Sequence, residues 1–282
     1  MIDLHSHILP GLDDGPAALS VSFEMARRYV DIGVECVACT PHIFPGLYNN
    51  SGTQIRLAVA ALQEQLDQED IPLRLTTGAD NHITPDFVAA LRSGHLLSLG
   101  DSRYVLVEPP HHIAPARLED LFFDIILADY VPILTHPERL TWIEDKYDLM
   151  RRLAERGVWM QITSGSLLGK FGRRPRYWAE RMLSEGLAHI LATDAHDNDR
   201  RRPDLLKGRV AAEKIVGTEE AKSLVASRPK DVLCNKLGIE SVALRGTTVG
   251  DGRWGSGTDV EGYIYTRRGS FAQRLRRFFV QQ

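Results

Sequence analysis

The amino-acid sequence predicts an α/β chain whose parallel strands close, or nearly close, into a β/α barrel. Apolar runs alternate with amphipathic stretches almost throughout, at a spacing that joins parallel strands through helical crossovers. About seven such units follow one another, which suits a barrel. No G-x-G-x-x-G follows the first strand, so a nucleotide-binding doubly wound sheet lacks support.

The first strand is the apolar run from Ile2 to His5, and it ends in His5-Ser6-His7. A loop, Leu9-Pro-Gly-Leu-Asp13-Asp14-Gly15-Pro16, precedes a helix from about Ala18 to Ile32 that Gly33 stops. The second strand, Cys36 to Thr40, runs into Pro41-His42 and a turn-rich loop through Pro45-Gly46 and Asn49-Asn50. Ile55, Val59, Leu62 and Leu66 then mark one helical stripe. A third strand, Leu73 to Thr77, closes at Gly78 and leads to Asp80, and Thr84-Pro85 reads as an N-cap with proline in the first turn. Strand four is Arg103 to Glu108, followed by a helix over about Pro115 to Leu127. Strand five, Val131 to His136, is followed by Pro137-Glu138-Arg139 and helical sequence to Arg156-Gly157. Strand six is Val158 to Thr163. A helix from Tyr177 to Ser184 leads to the seventh strand, His189 to Asp194, and further helices end at about Leu237-Gly238.

These elements define a barrel domain over residues 1–240. Residues 241–282 change character: Gly250-Asp-Gly252 and Gly255-Ser-Gly257 read as a flexible linker, and the basic end carries Leu275, Phe278 and Phe279. That end is a candidate for weak contact with a membrane surface or a partner, against the plainer reading of a solubilising terminus.

The bulk composition is that of a soluble globular protein, 43% hydrophobic and 25% charged over 282 residues. A net charge of −3 gives no bulk basicity for nucleic acid. With neither a leader pattern nor about 18 consecutive apolar residues, a cytoplasmic location is expected. Cys36, Cys39 and Cys234 form no disulfide framework, and Cys36-Val-Ala-Cys39 lies in an apolar run, which reads as core thiols rather than a redox loop.

The chemistry collects just past the predicted strands. In order these places give His5 and His7, His42, Asp80, Glu108, His136, and Asp194 with His196. On a strand, His5 and His7 point to one face. All are metal-ligand types, and all fall at the carboxyl rim where β/α barrels carry their active sites. Imidazole and carboxylate without thiolate suit manganese, iron or zinc.

These residues carry a resemblance to the PHP (polymerase and histidinol phosphatase) superfamily, within it to the bacterial manganese-dependent tyrosine phosphatases of capsule and exopolysaccharide operons. The motifs are Asp3-Leu4-His5-Ser6-His7, Thr40-Pro41-His42, Gly78-Ala79-Asp80, Val107-Glu108, Thr135-His136-Pro137-Glu138-Arg139 and Thr193-Asp194-Ala195-His196. The resemblance implies a distorted (β/α)7 barrel with two or three metal ions, manganese foremost. One ion would take His5, His7, Asp80 and Asp194. A second would share Asp80 and add Glu108 and His136. A third would take Asp14, His42 and His196. Arg139 and Arg201 fall where the family places phosphate-binding arginines, with Arg200 and Arg202 as neighbours to the second. One ligand departs from the family pattern: the usual glutamate is Asp80 here. A side chain one methylene shorter has less reach between two ions about 3.5–4 Å apart. His82, two residues on, can reach the same face.

The implied activity is metal-dependent hydrolysis of phosphotyrosine in a protein, with a tyrosine kinase of polysaccharide export as the expected substrate. Clustered divalent ions neutralise a phosphate monoester and activate water, so no thiolate nucleophile is needed. Arginines complete the clamp on the phosphate. The competing readings are a small-molecule phosphatase of the histidinol phosphate type and a non-catalytic metal-binding regulator. An amidohydrolase-like site is disfavoured, because no lysine stands at a strand end.

Overall fold

The computed structural model describes residues 1–235. The expected boundary at 240, the last residues of the closing helices, and the linker and basic tail of 241–282 lie outside the described residues. The strands are β1 (Ile2–Ser6), β2 (Cys36–Cys39), β3 (His42–Ile43), β4 (Arg74–Thr77), β5 (Asp80–His82), β6 (Tyr104–Glu108), β7 (Val131–Thr135), β8 (Trp159–Thr163) and β9 (Ile190–Ala192). The helices are α1 (Leu19–Asp31), α2 (Gly52–Gln68), α3 (Phe87–Arg92), α4 (Leu118–Leu127), α5 (Tyr147–Glu155), α6 (Ser164–Leu167), α7 (Arg173–Ser184), α8 (Leu205–Val216), α9 (Thr218–Val225) and α10 (Ser227–Leu233).

All the ladders are parallel. β1-β2-β4 form one sheet and β3-β5-β6-β7-β8-β9 the other. The two sheets continue one another along the chain. β2 and β3 are separated only by Thr40-Pro41, and β4 and β5 only by Gly78-Ala79, so nine strand segments fill seven strand positions. A Cβ on Gly78 would meet Leu99 Cδ2 at 2.9 Å and Thr40 Cγ2 at 3.0 Å, so the break leaves no room for a side chain. The curled sheet closes on itself through a parallel bridge between Ser6 and Ala195.

One cluster packs in the space these strands enclose: Leu4, Ala38, Tyr104, Leu106, Ile133, Ile190 and Ala192, with Leu99 and Val232. Alternation on the strands explains both the core and the rim. Tyr104 and Leu106 share a face with Glu108, and Ile190 and Ala192 share one with Asp194. Each row is apolar low in the barrel and polar at its carboxyl end. The helices cover the outside, and α2 buries the stripe expected of it: Ile55, Val59, Leu62 and Leu66.

Several sequence expectations need correction. α3 begins at Phe87 rather than at Thr84-Pro85, and the Thr84 hydroxyl caps nothing; the Thr84 carbonyl instead accepts from Phe87 N in a turn. The stretch from Leu140 to Lys146 is a loop, with α5 confined to Tyr147–Glu155. The short strands β3 and β5 and the single-turn α6 were not foreseen, because segments of two to four residues carry no periodicity. Cys36 and Cys39 lie on β2 as free thiols; Cys39 is fully buried, as a core reading requires, while Cys36 is half-buried.

His189, at the entrance to β9, couples this fold to pH. Its Nδ1 accepts from Met160 N at 3.1 Å and its ring stacks on Trp159. Burial, with the nearby Arg228 charge, lowers its pKa from 6.5 to about 4. A histidine whose folded pKa is depressed contributes stability that is present above the unfolded pKa and lost as pH falls. Urea unfolding between pH 7 and 4 should therefore show a loss of stability beginning near pH 6.5, with a smaller loss in His189→Asn. Identical pH profiles would refute the linkage.

Candidate metal centre

The rim gathers every ligand type that the sequence places there. β1 delivers His5 and His7 with their Nε2 atoms 3.2 Å apart, although its register with β2 shifts between Asp3 and Ser6. β3 delivers His42, β5 Asp80 and β6 Glu108. His136 follows β7 in left-handed backbone, φ 34°, and Asp194 follows β9 at φ 52°. Non-glycine residues seldom adopt these angles, and the cost is of order 1–3 kcal/mol each. At His136 the left-handed turn breaks the alternation, so the residue after inward Thr135 still reaches the cluster.

Asp80 is at the centre of one group. Its Oδ2 lies 3.5 Å from His5 Nε2, 3.6 Å from His42 Nδ1 and 3.8 Å from His136 Nε2. Glu108 Oε2 is 3.3 Å from His42 Nδ1, and Glu108 Oε1 is 3.6 Å from His136 Nε2. Asp194 Oδ1 lies 3.5 Å from His5 Nε2, 3.3 Å from His7 Nε2 and 3.6 Å from His196 Nδ1. Asp14, half-exposed in its loop, has Oδ1 3.2 Å from His196 Nε2 and 3.6 Å from His42 Nε2. Four sets offer donor atoms within 4.8 Å of one another: His7, Asp14, His42 and His196; His5, His7 and Asp80; His42, Asp80 and Glu108; and Glu108, His111 and His136.

The electrostatics fit cations. Asp80 is fully buried, and neither of its carboxylate oxygens has a hydrogen-bond partner among the described residues. Burial and the neighbouring Glu108 push its pKa well up, so without compensating positive charge it would hold a proton. Burial disfavours charge on Glu108 too, but the imidazoles of His111, His42 and His82 beside it, at 3.4, 3.3 and 3.7 Å, keep its pKa well below the usual range. Asp194 is likewise held ionised against burial, chiefly by the charge of Arg201. Burial lowers His5 to about 3 and His196 to about 4, and with Arg139 it depresses His136, so these imidazoles present lone pairs at neutral pH. A buried carboxylate without hydrogen-bond partners beside the neutral imidazoles of His5 and His136 is a donor set that divalent ions satisfy.

The arginines converge on one oxygen. Arg139 Nη1 and Arg201 Nη2 both donate to Asp194 Oδ2, the latter at 2.6 Å. Arg139 also lies over the Phe171 ring, 4.5 Å from its centroid. Of the three candidates at 200–202 it is Arg201 that faces the cluster; Arg200 is exposed and Arg202 pairs with Asp204.

The residues that orient the cluster escaped the sequence reading. His7 Nδ1 and Asp13 Oδ2 are 2.6 Å apart, and the same oxygen accepts from His42 N at 2.9 Å. Burial opposes charge on His7, yet Asp13 raises its pKa to about 9. Gln161 Oε1 lies 2.8 Å from His5 Nδ1. Gln161 had a signal, a polar residue inside an apolar strand. Asp13 had none that separates it from Asp14. His82 faces Glu108 rather than Asp80's other neighbours, at 3.7 Å, and stacks on Phe44.

Comparison with known proteins gives this geometry its family. The family model described as capsular polysaccharide synthesis, CpsB/CapC, matches residues 1–234. The chain belongs to the CpsB/CapC family. This CpsB/CapC chain is 38% identical over 219 residues to the tyrosine-protein phosphatase YwqE of Bacillus subtilis, covering 78% of this chain and 86% of that one. It is 27% identical over 242 residues to the tyrosine-protein phosphatase CpsB of Streptococcus pneumoniae, covering 84% of this chain and all of the relative. A crystal structure from a study of those two proteins, there called unique metal-dependent tyrosine phosphatases, superposes with a TM-score of 0.81 at 36% identity, over 84% of this chain and 96% of that one. An Acinetobacter baumannii structure described as a probable 2-pyrone-4,6-dicarboxylic acid hydrolase shares the fold at a TM-score of 0.52 and 15% identity, over 83% of this chain and 98% of that one.

Removing Asp13 tests the orienting contacts. Asp13→Ala leaves His7 Nδ1 and His42 N without their acceptor, so urea denaturation should show a loss of about 1–3 kcal/mol. Divalent-ion affinity should fall about 10- to 100-fold by calorimetric titration, as loss of an orienting partner generally causes. Wild-type affinity in the variant would deny Asp13 this role.

Proposed function

We propose that this CpsB/CapC chain is a metal-dependent protein-tyrosine phosphatase of capsule or exopolysaccharide synthesis. The observation that carries the mechanism is Asp80: a buried carboxylate without hydrogen-bond partners, ringed by imidazoles, beside two arginines that meet on Asp194. In this reading one ion is held by His5, His7, Asp80 and Asp194, a second by Asp80, Glu108 and His136, and a third by Asp14, His42 and His196. Manganese suits the mix of imidazole and carboxylate. When bound, such ions neutralise phosphate oxygens and bring the pKa of water toward neutrality.

The chain's own residues do the rest. Neutral His5, His136 and His196 offer lone pairs, and ionised Glu108 and Asp194 balance cationic charge. Arg139 and Arg201 supply donors at the rim for the oxygens of a phosphate monoester. Phe171 and Asp194 hold Arg139 in place, so little side-chain freedom is lost when it binds an anion. Asp13 and Gln161 fix which nitrogens of His7 and His5 face the centre. The substrate is proposed to be a phosphotyrosine protein, with a tyrosine kinase of polysaccharide export as the partner in the cytoplasm. None of the described helices is long and apolar enough to cross a membrane.

A phosphotyrosine peptide and histidinol phosphate, assayed side by side with manganese and with chelator, decide between substrate classes. The peptide should be preferred, and the chelator should abolish turnover. Preference for histidinol phosphate would favour the small-molecule reading, and chelator-resistant activity would remove the mechanism. Arg139→Ala and Arg201→Ala should each lower kcat/KM about a hundredfold, the scale of a lost transition-state donor. Arg200→Ala should leave it unchanged. Equal loss in all three would reduce the arginines to a general basic surface.

A further inference from the structure

We propose that His111 is an additional protein ligand for the ion held at Glu108 and His136. The inference rests on the metal-dependent reading above and concerns a residue that the sequence did not mark. His111 follows β6 by three residues, and its Nε2 lies 3.4 Å from Glu108 Oε1. His136 Nε2 approaches the same oxygen at 3.6 Å. The donor atoms of the three residues lie within 4.8 Å of one another. Two ligand atoms each about 2.1 Å from one ion stand about 3.0–3.5 Å apart, so the spacing is close to what coordination requires.

The loop holds His111 in this position. Thr141 N and Thr141 Oγ1 donate to the His111 carbonyl at 2.9 and 3.0 Å. Trp142 Nε1 donates to the Pro110 carbonyl at 3.0 Å. Residues 110 and 111 are therefore tied to the segment just after Arg139, and the His111 ring stands 5.0 Å from that of His136. His112, next in sequence, is exposed.

Asp80 Oδ2 is shared among neighbours, 3.5 Å from His5, 3.6 Å from His42 and 3.8 Å from His136. With Asp80, Glu108 and His136 as donors, His111 brings the protein ligands of that ion to four, the upper end of what four-coordinate sites use. It would also make this position richer in nitrogen, which tells on the choice among divalent ions.

The test uses the full-length protein, stripped of metal. It is titrated with manganese by calorimetry and with cobalt(II) by visible absorption. In His111→Ala one stepwise dissociation constant should rise at least about tenfold, the other steps should hold, and the cobalt spectrum of that step should change. His111→Asp, which keeps a donor, should recover the tight step, and His112→Ala should titrate as wild type. A His111→Ala protein that binds every ion as wild type does overturns the inference alone. So does one that loses all ions together with a lowered apo melting temperature, since that marks a structural role. A wild type that binds no ion overturns the metal-dependent reading, and the inference with it.

Discussion

One buried carboxylate holds the barrel's seam. Asp3 accepts hydrogen bonds from Thr193 N at 3.1 Å, from the Thr193 hydroxyl, from Tyr29 OH at 3.0 Å and from His5 N at 3.2 Å. It thereby ties β1 to the end of β9, the first strand position to the last. Alongside it, Asp194 N donates to the His5 carbonyl at 2.8 Å and His7 N to the Ala195 carbonyl at 2.9 Å. These bonds set His5 and His7 against Asp194 and His196. Burial raises the Asp3 pKa to about 6 even with these donors in place. A buried carboxylate is tolerated because each oxygen is satisfied.

Asp80 is the opposite case. It is as deeply buried as Asp3 yet has none of Asp3's hydrogen bonds. The contrast separates a group built to hold the fold from one built to face a ligand. Around Asp80 the rim concentrates the carboxylates of Asp14, Glu108 and Asp194 and the imidazoles of His5, His7, His42, His136 and His196, among others, an arrangement that costs stability unless positive charge enters it. The arginines offset Asp194 and, through Arg201, Asp14, but not Asp80 or Glu108. Left-handed backbone at His136 and Asp194 adds strain at the same place, the pattern expected where function rather than folding chose the residue.

The motifs were legible because each sits where an apolar run ends. Strands β1, β6, β7 and β8, and helices α1, α2, α4 and α7, all leave periodicity long enough to read, and β2, β4 and β9 show through the apolar runs that contain them. β3 and β5 do not, and their absence from the sequence reading hid the breaks at Thr40-Pro41 and Gly78-Ala79. The Thr84-Pro85 cap misled because a favourable dipeptide does not reveal that the chain makes a further turn before α3. Asp14, Arg139 and Arg201 were legible only through the family resemblance, not from residue type or spacing. Asp13, Gln161 and His111 were not, because each acts through a partner far away in sequence or through a loop fixed by one.

Residue type and spacing alone determined the α/β class, the parallel order and the rim where the chemistry gathers. These follow from local rules: alternation on a strand, a stripe on a helix, turn residues between them. Tertiary structure decided which side chains meet. It made Arg201 rather than Arg200 or Arg202 the partner of Asp194, turned Asp13 to His7 and Asp14 to His196, and left Asp80 without a hydrogen bond. The reason is physical. A contact between His5 and Asp194 spans nearly the whole domain, and only closure of the sheet at Ser6 and Ala195 fixes the distance between them.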